Sequence, residues 1–560
     1  MKNQTMIVLA ALGALTGRPQ QIRGKSATIL LSFALLVGLA IPASAELAAG
    51  SQLRSLTGLW LPSFFGNSMV LQRDQPVPVW GWADSGDEIT VAFAGQTKTV
   101  CAATNGAWRV TLDAMPASAK PRDMLVRSKN GNRQLKLENI LIGDVWLLSG
   151  DFGAYWEMFS SANAAQELPA ANHPALRLLQ VWGKSSNEPL NDILGGWRVC
   201  TSENVRGFSA LGYFYGRALN RELGVPIGVI DASYRYSEIQ GWMPPAAFRM
   251  IPELSKLRYR MDSWDSTTMA GQKEFSATVS NVAKWLPLAE QAFHEGKPIP
   301  QQPLVPAPLT AIDLNYGSIT ELSLNYQGMI HPLIPMRIRG VVWSLGENGN
   351  FNFFHLQGLI QSWRQAWGQG DFPFYLELIP NRPSRGAPHP AQIDSMRDGQ
   401  IKCLALPNTG VAVTFDVSDY LSDNRNRKDP AERLAQLALA KEYGRKLVYS
   451  GPSCKNHRIE GDRVVIGFDH VGGGLIVGDK RGLAPLVEVK DGALKGFAIA
   501  GADQKWHWAD ARIVGDTVEV RSGEVPVPVA VRYACGSDTA GANLYNRDGL
   551  PAVPFRTDAW

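Results

Sequence analysis

The sequence is short of histidine, of charge and of cysteine, and each shortage narrows what the chain can do. Only 8 of 560 residues are histidine, which leaves few candidates for a histidine general base. Charged residues make up 19% of the chain and the formal net charge is only +4. With no basic run and no basic-aromatic stripe, nucleic acid is not expected as a partner. The five cysteines, Cys101, Cys200, Cys403, Cys454 and Cys535, are widely scattered, with no Cys-x-x-Cys pair and no histidine at ligand spacing. That pattern argues against structural zinc, and the odd count leaves at least one thiol outside any disulfide. No metal and no cofactor are expected. Repeats of solenoid period and low-complexity tracts are also lacking, as is any apolar run of membrane-spanning length beyond the N-terminus.

What is plentiful is glycine (54), proline (35) and tryptophan (17), the composition of a turn-rich exported protein suited to handling sugars. At roughly 150 residues per domain the length predicts about three or four domains. Arg23 and Lys25 precede the apolar stretch Ile29 to Ile41, which ends in Pro42-Ala43-Ser44-Ala45. A basic region, a short apolar region and an Ala-x-Ala site predict a signal peptide over 1–45, cleaved near Ala45. The mature chain is expected in the periplasm or secreted, with no membrane association after cleavage.

Three regions follow. Over 58–140, short alternating runs such as Val77-Pro78-Val79-Trp80-Gly81-Trp82 and Glu88 to Phe93, with a hairpin turn expected at Asn105-Gly106, predict a small β-sandwich. Over 141–446, apolar strands at Asp144 to Leu148, Pro226 to Ile230 and Gly340 to Trp343 alternate with helical patterns at Leu211–Leu223, Leu356–Trp367 and Pro430–Tyr443. This alternation predicts a parallel α/β sheet whose ligand site lies beyond the C-terminal strand ends. An amphipathic helical insertion is expected at about 252–315, and short strands with Gly-rich turns over 447–560 predict a C-terminal β domain.

Ordered blocks along the mature chain resemble the sialate O-acetylesterase family of SGNH (GDSL-like) hydrolases. They include Phe65 to Arg73, Val79 to Ala83, Gly143-Asp144-Val145-Trp146, Phe208 to Phe214 and Pro226 to Ile230. Further on come Gly328-Met329-Ile330, Ile338-Arg339-Gly340, Trp363-Arg364, Val531-Arg532-Tyr533 and Asn543 to Pro551, then Pro554 to Asp558. The resemblance implies a flavodoxin-like parallel sheet flanked by N- and C-terminal β-sandwich-like domains, and it implies glycans as partners.

The resemblance also implies catalytic positions, and these are substituted. The family's Ser-Gly-Gln-Ser-Asn-Met turn reads Ser149-Gly150-Asp151-Phe152-Gly153-Ala154, placing Phe152 where the nucleophile belongs, and a phenyl ring cannot attack a carbonyl. Its Trp-Gly-Gly-Thr turn reads Tyr234-Arg235-Tyr236-Ser237, with bulky residues where backbone must approach an oxyanion. Its Gln-Gly-Glu-Ser-Asn block reads Leu345-Gly346-Glu347-Asn348-Gly349, putting Gly349 at the donor asparagine with Asn348 beside it. Its Ile-His-Pro block falls on Ser422-Asp423-Asn424, so Asp423 replaces the histidine base.

Aligning the blocks predicts one cleft holding the carboxylates Asp151, Glu347 and Asp423 with Phe152, Trp156, Tyr234, Arg235, Tyr236, Trp343, Asn348 and His355 as lining. Aromatic rings stack on pyranose faces and carboxylates accept hydroxyl hydrogen bonds. Three functions fit: a glycan-binding or otherwise non-esterase relative, a glycosidase or lyase using Asp/Glu or Tyr/Arg chemistry, and an acetylesterase with a relocated apparatus, His355 being one histidine near enough in sequence to take part.

Overall fold

In the computed structural model the described residues are 58–130, 133–183, 185–265, 267–303, 322–345, 351–379, 390–417, 425–536, 539 and 541–560. The signal-peptide region therefore lies outside them, as do Glu347, Asn348, Gly349 and Asp423.

The N-terminal part holds strands β1 (Val70–Gln72), β2 (Val77–Trp82), β3 (Glu88–Phe93), β4 (Gln96–Cys101), β5 (Ala107–Leu112) and β6 (Ser118–Ser128). β2 pairs with β5, and β3 with both β4 and β6. The turn at Asn105-Gly106 is present, with Gly106 at φ 79° and its N–H donating to Ala103 O. It is not a hairpin, however: it carries the chain from β4 in one sheet to β5 in the other. A tight turn in sequence fixes a reversal but not which strand becomes the neighbour.

β7 (Arg133–Gly150) is 18 residues long and crosses the expected boundary at 140/141 without a break. Its first half pairs antiparallel with β6, and its second half is the central strand of the parallel sheet. Alternating exposure gives way to continuous burial at Ile140, as expected where both faces of the sheet become covered. The sheet runs β13 (Thr409–Ala412), β12 (Phe374–Glu377), β11 (Gly340–Ser344), β7, β10 (Ile227–Ser233), β8 (His173–Val181), β9 (Gly195–Cys200). All neighbours are parallel except β8 and β9. Helix Ala210–Leu223 packs on this sheet; Ser209 caps its start by accepting from the N–H of Gly212, and Gly224 at φ 67° ends it.

At the N-terminal end of the sheet, fully buried Asp144 accepts from Arg73, Arg339, Gln72 and Tyr443, at 2.9 to 3.0 Å. Burial pushes this carboxyl up, but the guanidiniums of Arg73 and Arg339 outweigh it and hold the group below the ordinary carboxylate value. The cluster ties the first β segment to the α/β sheet.

The C-terminal part, beginning at β14 (Ser453–Glu460), forms further antiparallel sheets. It is joined to the α/β part through polar contacts. Arg433 forks onto Asp416 at 2.6 and 2.7 Å while Tyr545 donates to the same carboxylate, and Lys480 pairs with Asp429 at 2.6 Å. The described residues of 259–303 form a unit separate from the rest. In its described part the helix Met269–His294 is capped at Thr268, whose hydroxyl accepts from the N–H of Gly271. Among the described residues no helix is long and apolar enough to cross a membrane.

Candidate active site

The chain leaves β7 toward β8 and β10 on one side and later returns to build β11, β12 and β13 on the other. The end of β7 is therefore the topological switch point, and the crevice beyond it is where an open α/β sheet takes its ligand. Two described turns reach this place, the one after Gly150 and the one after Ser233, with Ser344 at the end of β11 beside them.

Gly150, at φ 126°, lets the backbone turn sharply off β7; a Cβ there would lie 2.1 Å from Ser344 O. Ser149, the last residue facing the sheet, donates its hydroxyl to Ala232 O at 2.8 Å and is fully buried. It is committed to the neighbouring strand. The helical turn Phe152–Tyr155 follows. The half-buried ring of Phe152 lies 5.2 Å from Trp156 and 5.8 Å from Tyr236, centroid to centroid.

On the β10 side, Tyr234 N–H donates to Gly150 O, and the Tyr234 ring lies against Gly183, where a Cβ would come within 1.9 Å of the ring. Ser237 donates to Tyr234 O and accepts from the indole of Trp242, which braces the turn. Tyr236 sits at φ 64°, a left-handed conformation that a bulky residue rarely adopts, and leaves 54% of its surface exposed. The resemblance pairs this position with a glycine; the backbone keeps a glycine's conformation while carrying a phenol. The exposed guanidinium of Arg235 stands 5.3 Å over the Tyr155 ring.

Beneath the turn is a buried polar cluster. Arg427 pairs with Glu377 at 3.1 Å, Ser344 donates to Glu377, and Arg427 also donates to Gly153 O. A Cβ on Gly153 would lie 2.2 Å from Ser344 Oγ, so only glycine fits over this cluster. Beside the aromatic lining are two more carboxyls. Asp231 is almost fully buried and accepts from Ser233 N–H and Oγ–H at 3.1 and 2.5 Å; burial is the main cause that raises it to about 7, with the charge of Glu157 adding to the rise. Glu157 is itself raised by burial, against the pull of Arg235.

The predicted site residues thus divide. Phe152, Trp156, Tyr234, Arg235 and Tyr236 come together at the switch point. Asp151 is there in sequence, but its side chain is fully buried under the turn, so its carboxylate is closed to a ligand. Trp343 is corrected as well: it is 0% exposed and edge-on to Trp242 and Trp363 at 6.0 and 5.8 Å, part of the layer under the sheet and no stacking platform. His355 closes a capping box with Asn352 at the start of helix Phe353–Trp367, and burial lowers it to about 4. It is a structural cap, neutral at pH 7. Glu347, Asn348, Gly349 and Asp423 lie outside the described residues. Sequence reasoning missed Tyr155, Glu157, Asp231, Glu377 and Arg427. For Asp231 and Glu377 a signal existed, since each is a lone carboxylate near the end of an apolar strand, where a parallel sheet delivers residues to its ligand site. Among the described residues no cluster of His, Cys, Asp and Glu could hold a metal ion.

A mostly parallel sheet with its crevice at the switch point and β domains at each end is the architecture of an SGNH-type esterase scaffold. No family model matches the chain. It is 33% identical to a carbohydrate acetylesterase from Xanthomonas citri, covering 90% of this chain and 100% of that structure with a TM-score of 0.72. It is 26% identical over 464 residues to the human sialate O-acetylesterase, 75% of this chain and 77% of that one, and 27% identical over 438 residues to the mouse protein. The chain belongs to the sialate O-acetylesterase family of carbohydrate esterases.

Proposed function

We propose that the crevice binds glycan without the serine ester hydrolysis of the family. The observation that carries this reading is the ring of Phe152, packed between Trp156 and Tyr236 at the position that the resemblance pairs with the nucleophile. Other groups that could stand in are occupied: Ser149 donates to Ala232 O and His355 caps its helix. Three rings and the cation-bearing Tyr155 offer apolar faces for pyranose stacking.

A second reading, a glycan-cleaving enzyme, draws support from the raised carboxyl of Glu157 beside these rings. A raised carboxyl is what a general acid needs near neutral pH. The test is one screen of the purified mature protein against polysaccharides and O-acetylated oligosaccharides, with binding, new reducing ends and acetate all measured. Binding without products supports the first reading. Reducing ends that disappear in Glu157→Gln support the second, and acetate release abolished by a His355 substitution overturns both in favour of a relocated esterase.

The N-terminal segment supports export as part of the same proposal. Periplasmic or secreted protein whose mature N-terminus follows Ala45 is the expected result; an intact Met1 on the exported protein would contradict it.

A further inference from the structure

A C-terminal sheet of the strands Trp506–Trp508, Phe497–Ala500, Ala530–Tyr533 and Phe555–Arg556, in that order, has one face in the core and reaches solvent on the other at Trp508. Phe497, Ile499, Val531 and Tyr533 are buried and form the inner face. Register assigns the outer face: Trp508 lies opposite Ala498, which lies opposite Arg532, which lies opposite Arg556. One row along, Trp506 lies opposite Ala500 and then Ala530. Cross-strand partners share a face, so two indoles stand on the edge strand on the same side as Ala498 and the arginines, while Ala500 and Ala530 in the Trp506 row are covered.

The charges of this shelf are engaged. The Arg532 guanidinium lies 4.1 Å over the Trp506 ring and forks onto Asp558 with two 2.8 Å bonds. Arg556 pairs with the same carboxylate. Trp506 also has the Trp560 ring at 6.3 Å, tilted by 31°. Trp508 by contrast is 76% exposed. Its half-buried neighbour Trp506 stands on the same face about 7 Å away along the strand.

We infer that this outer face is a second glycan-binding site, taking a neutral, extended polysaccharide chain whose pyranose faces stack on Trp508 and the edge of Trp506. A neutral ligand is favoured because both arginines are already engaged by Asp558, and an extended one because the two rings follow the strand direction. The inference rests on the chain being carbohydrate-active and does not depend on what the crevice does.

The test is affinity electrophoresis of the full mature chain in gels containing a neutral polysaccharide (xylan, glucomannan or hydroxyethyl cellulose) or polygalacturonate. Wild type should be retarded by at least one neutral polymer, with Trp508→Phe close to it. Trp508→Ala should lose about tenfold in apparent affinity, equivalent to one ring contact. Circular dichroism and the thermal midpoint of Trp508→Ala should match wild type, since the ring is exposed. Equal retardation of Trp508→Ala and wild type overturns the site, as does no retardation by any neutral polymer or preference for polygalacturonate. A dimer in sedimentation equilibrium that Trp508→Ala dissolves overturns it too, by making the face a protein interface. Loss of retardation in Tyr236→Ala alone would assign glycan binding to the crevice and leave the shelf without a role.

Discussion

Phe152 and Tyr236 meet across the mouth of the switch-point crevice, their ring centroids 5.8 Å apart and their planes inclined by 53°. One residue starts the turn after β7, and the other is held at φ 64° in the turn after β10. The contact joins the two turns that the resemblance pairs with the family's nucleophile and oxyanion donors, and it is made of carbon.

Restoring a hydroxyl at this place should not restore the reaction. Phe152→Ser is expected to leave acetate release from O-acetylated sugars at background, because a serine needs a base within hydrogen-bond reach and His355 is committed to its helix cap. Turnover above background in Phe152→Ser, measured by coupled acetate detection, would sink this expectation.

The cluster under the turn should show the asymmetry of a buried ion pair. Glu377 and Arg427 are 3% and 1% exposed; Glu377→Gln leaves a buried guanidinium short of its counter-ion and should cost about 3–5 kcal/mol. The double variant Glu377→Met/Arg427→Met should be more stable than either single one. Urea unfolding of all four proteins gives the coupling energy directly, and additive losses would contradict a direct pair.

Asp231 should make the fold less stable as pH rises. A carboxyl raised to about 7 binds its proton more tightly folded than unfolded. Its contribution is therefore fully present below the unfolded value near 4, declines from there to about 7, and is lost above. Asp231→Asn keeps the acceptor for Ser233 and does not ionise. Relative to wild type it should gain up to a few kcal/mol between pH 4 and pH 8, read from urea midpoints at several pH values. A difference independent of pH would show that Asp231 is not the titrating group.

Asp144 should behave in the opposite sense. Its value is held low by Arg73 and Arg339, so its contribution is present above the ordinary carboxylate range and is lost as pH falls through the folded value. Asp144→Asn should cost about 3 kcal/mol or more at pH 7 by leaving two guanidiniums without their shared anion. The gap from wild type should narrow progressively below pH 4. A constant gap down to pH 3 would contradict it.

Much of the scaffold was legible before any coordinates. Period-3.6 apolar spacing gave the helix expected at Leu211–Leu223, found at Ala210–Leu223 with its serine and glycine caps. Apolar runs gave strands within one to three residues of β10 and β11. The Asn105-Gly106 turn was legible as a turn but not as a crossing between sheets, because strand partners are chosen by packing far away in sequence. The aromatic lining was half legible. Phe152, Trp156 and Tyr236 meet because two turns flank the switch point, whereas Trp343 ends a strand covered on both faces, and a continuous apolar run does not say which indole will see solvent.

By itself the sequence determined the order of elements, the family and the residue types at the positions that the resemblance pairs with catalysis, since all three follow from local spacing and from the identities of side chains. Phenylalanine at 152 excludes an alkoxide there whatever the fold. The tertiary structure alone decided which of those residues can meet a ligand: it buried Asp151 and Trp343, turned His355 into a cap, brought Asp231 to about 7 and left Trp508 in solvent. Burial, dielectric and charge proximity belong to layers assembled from distant segments, so no single stretch of sequence carries them.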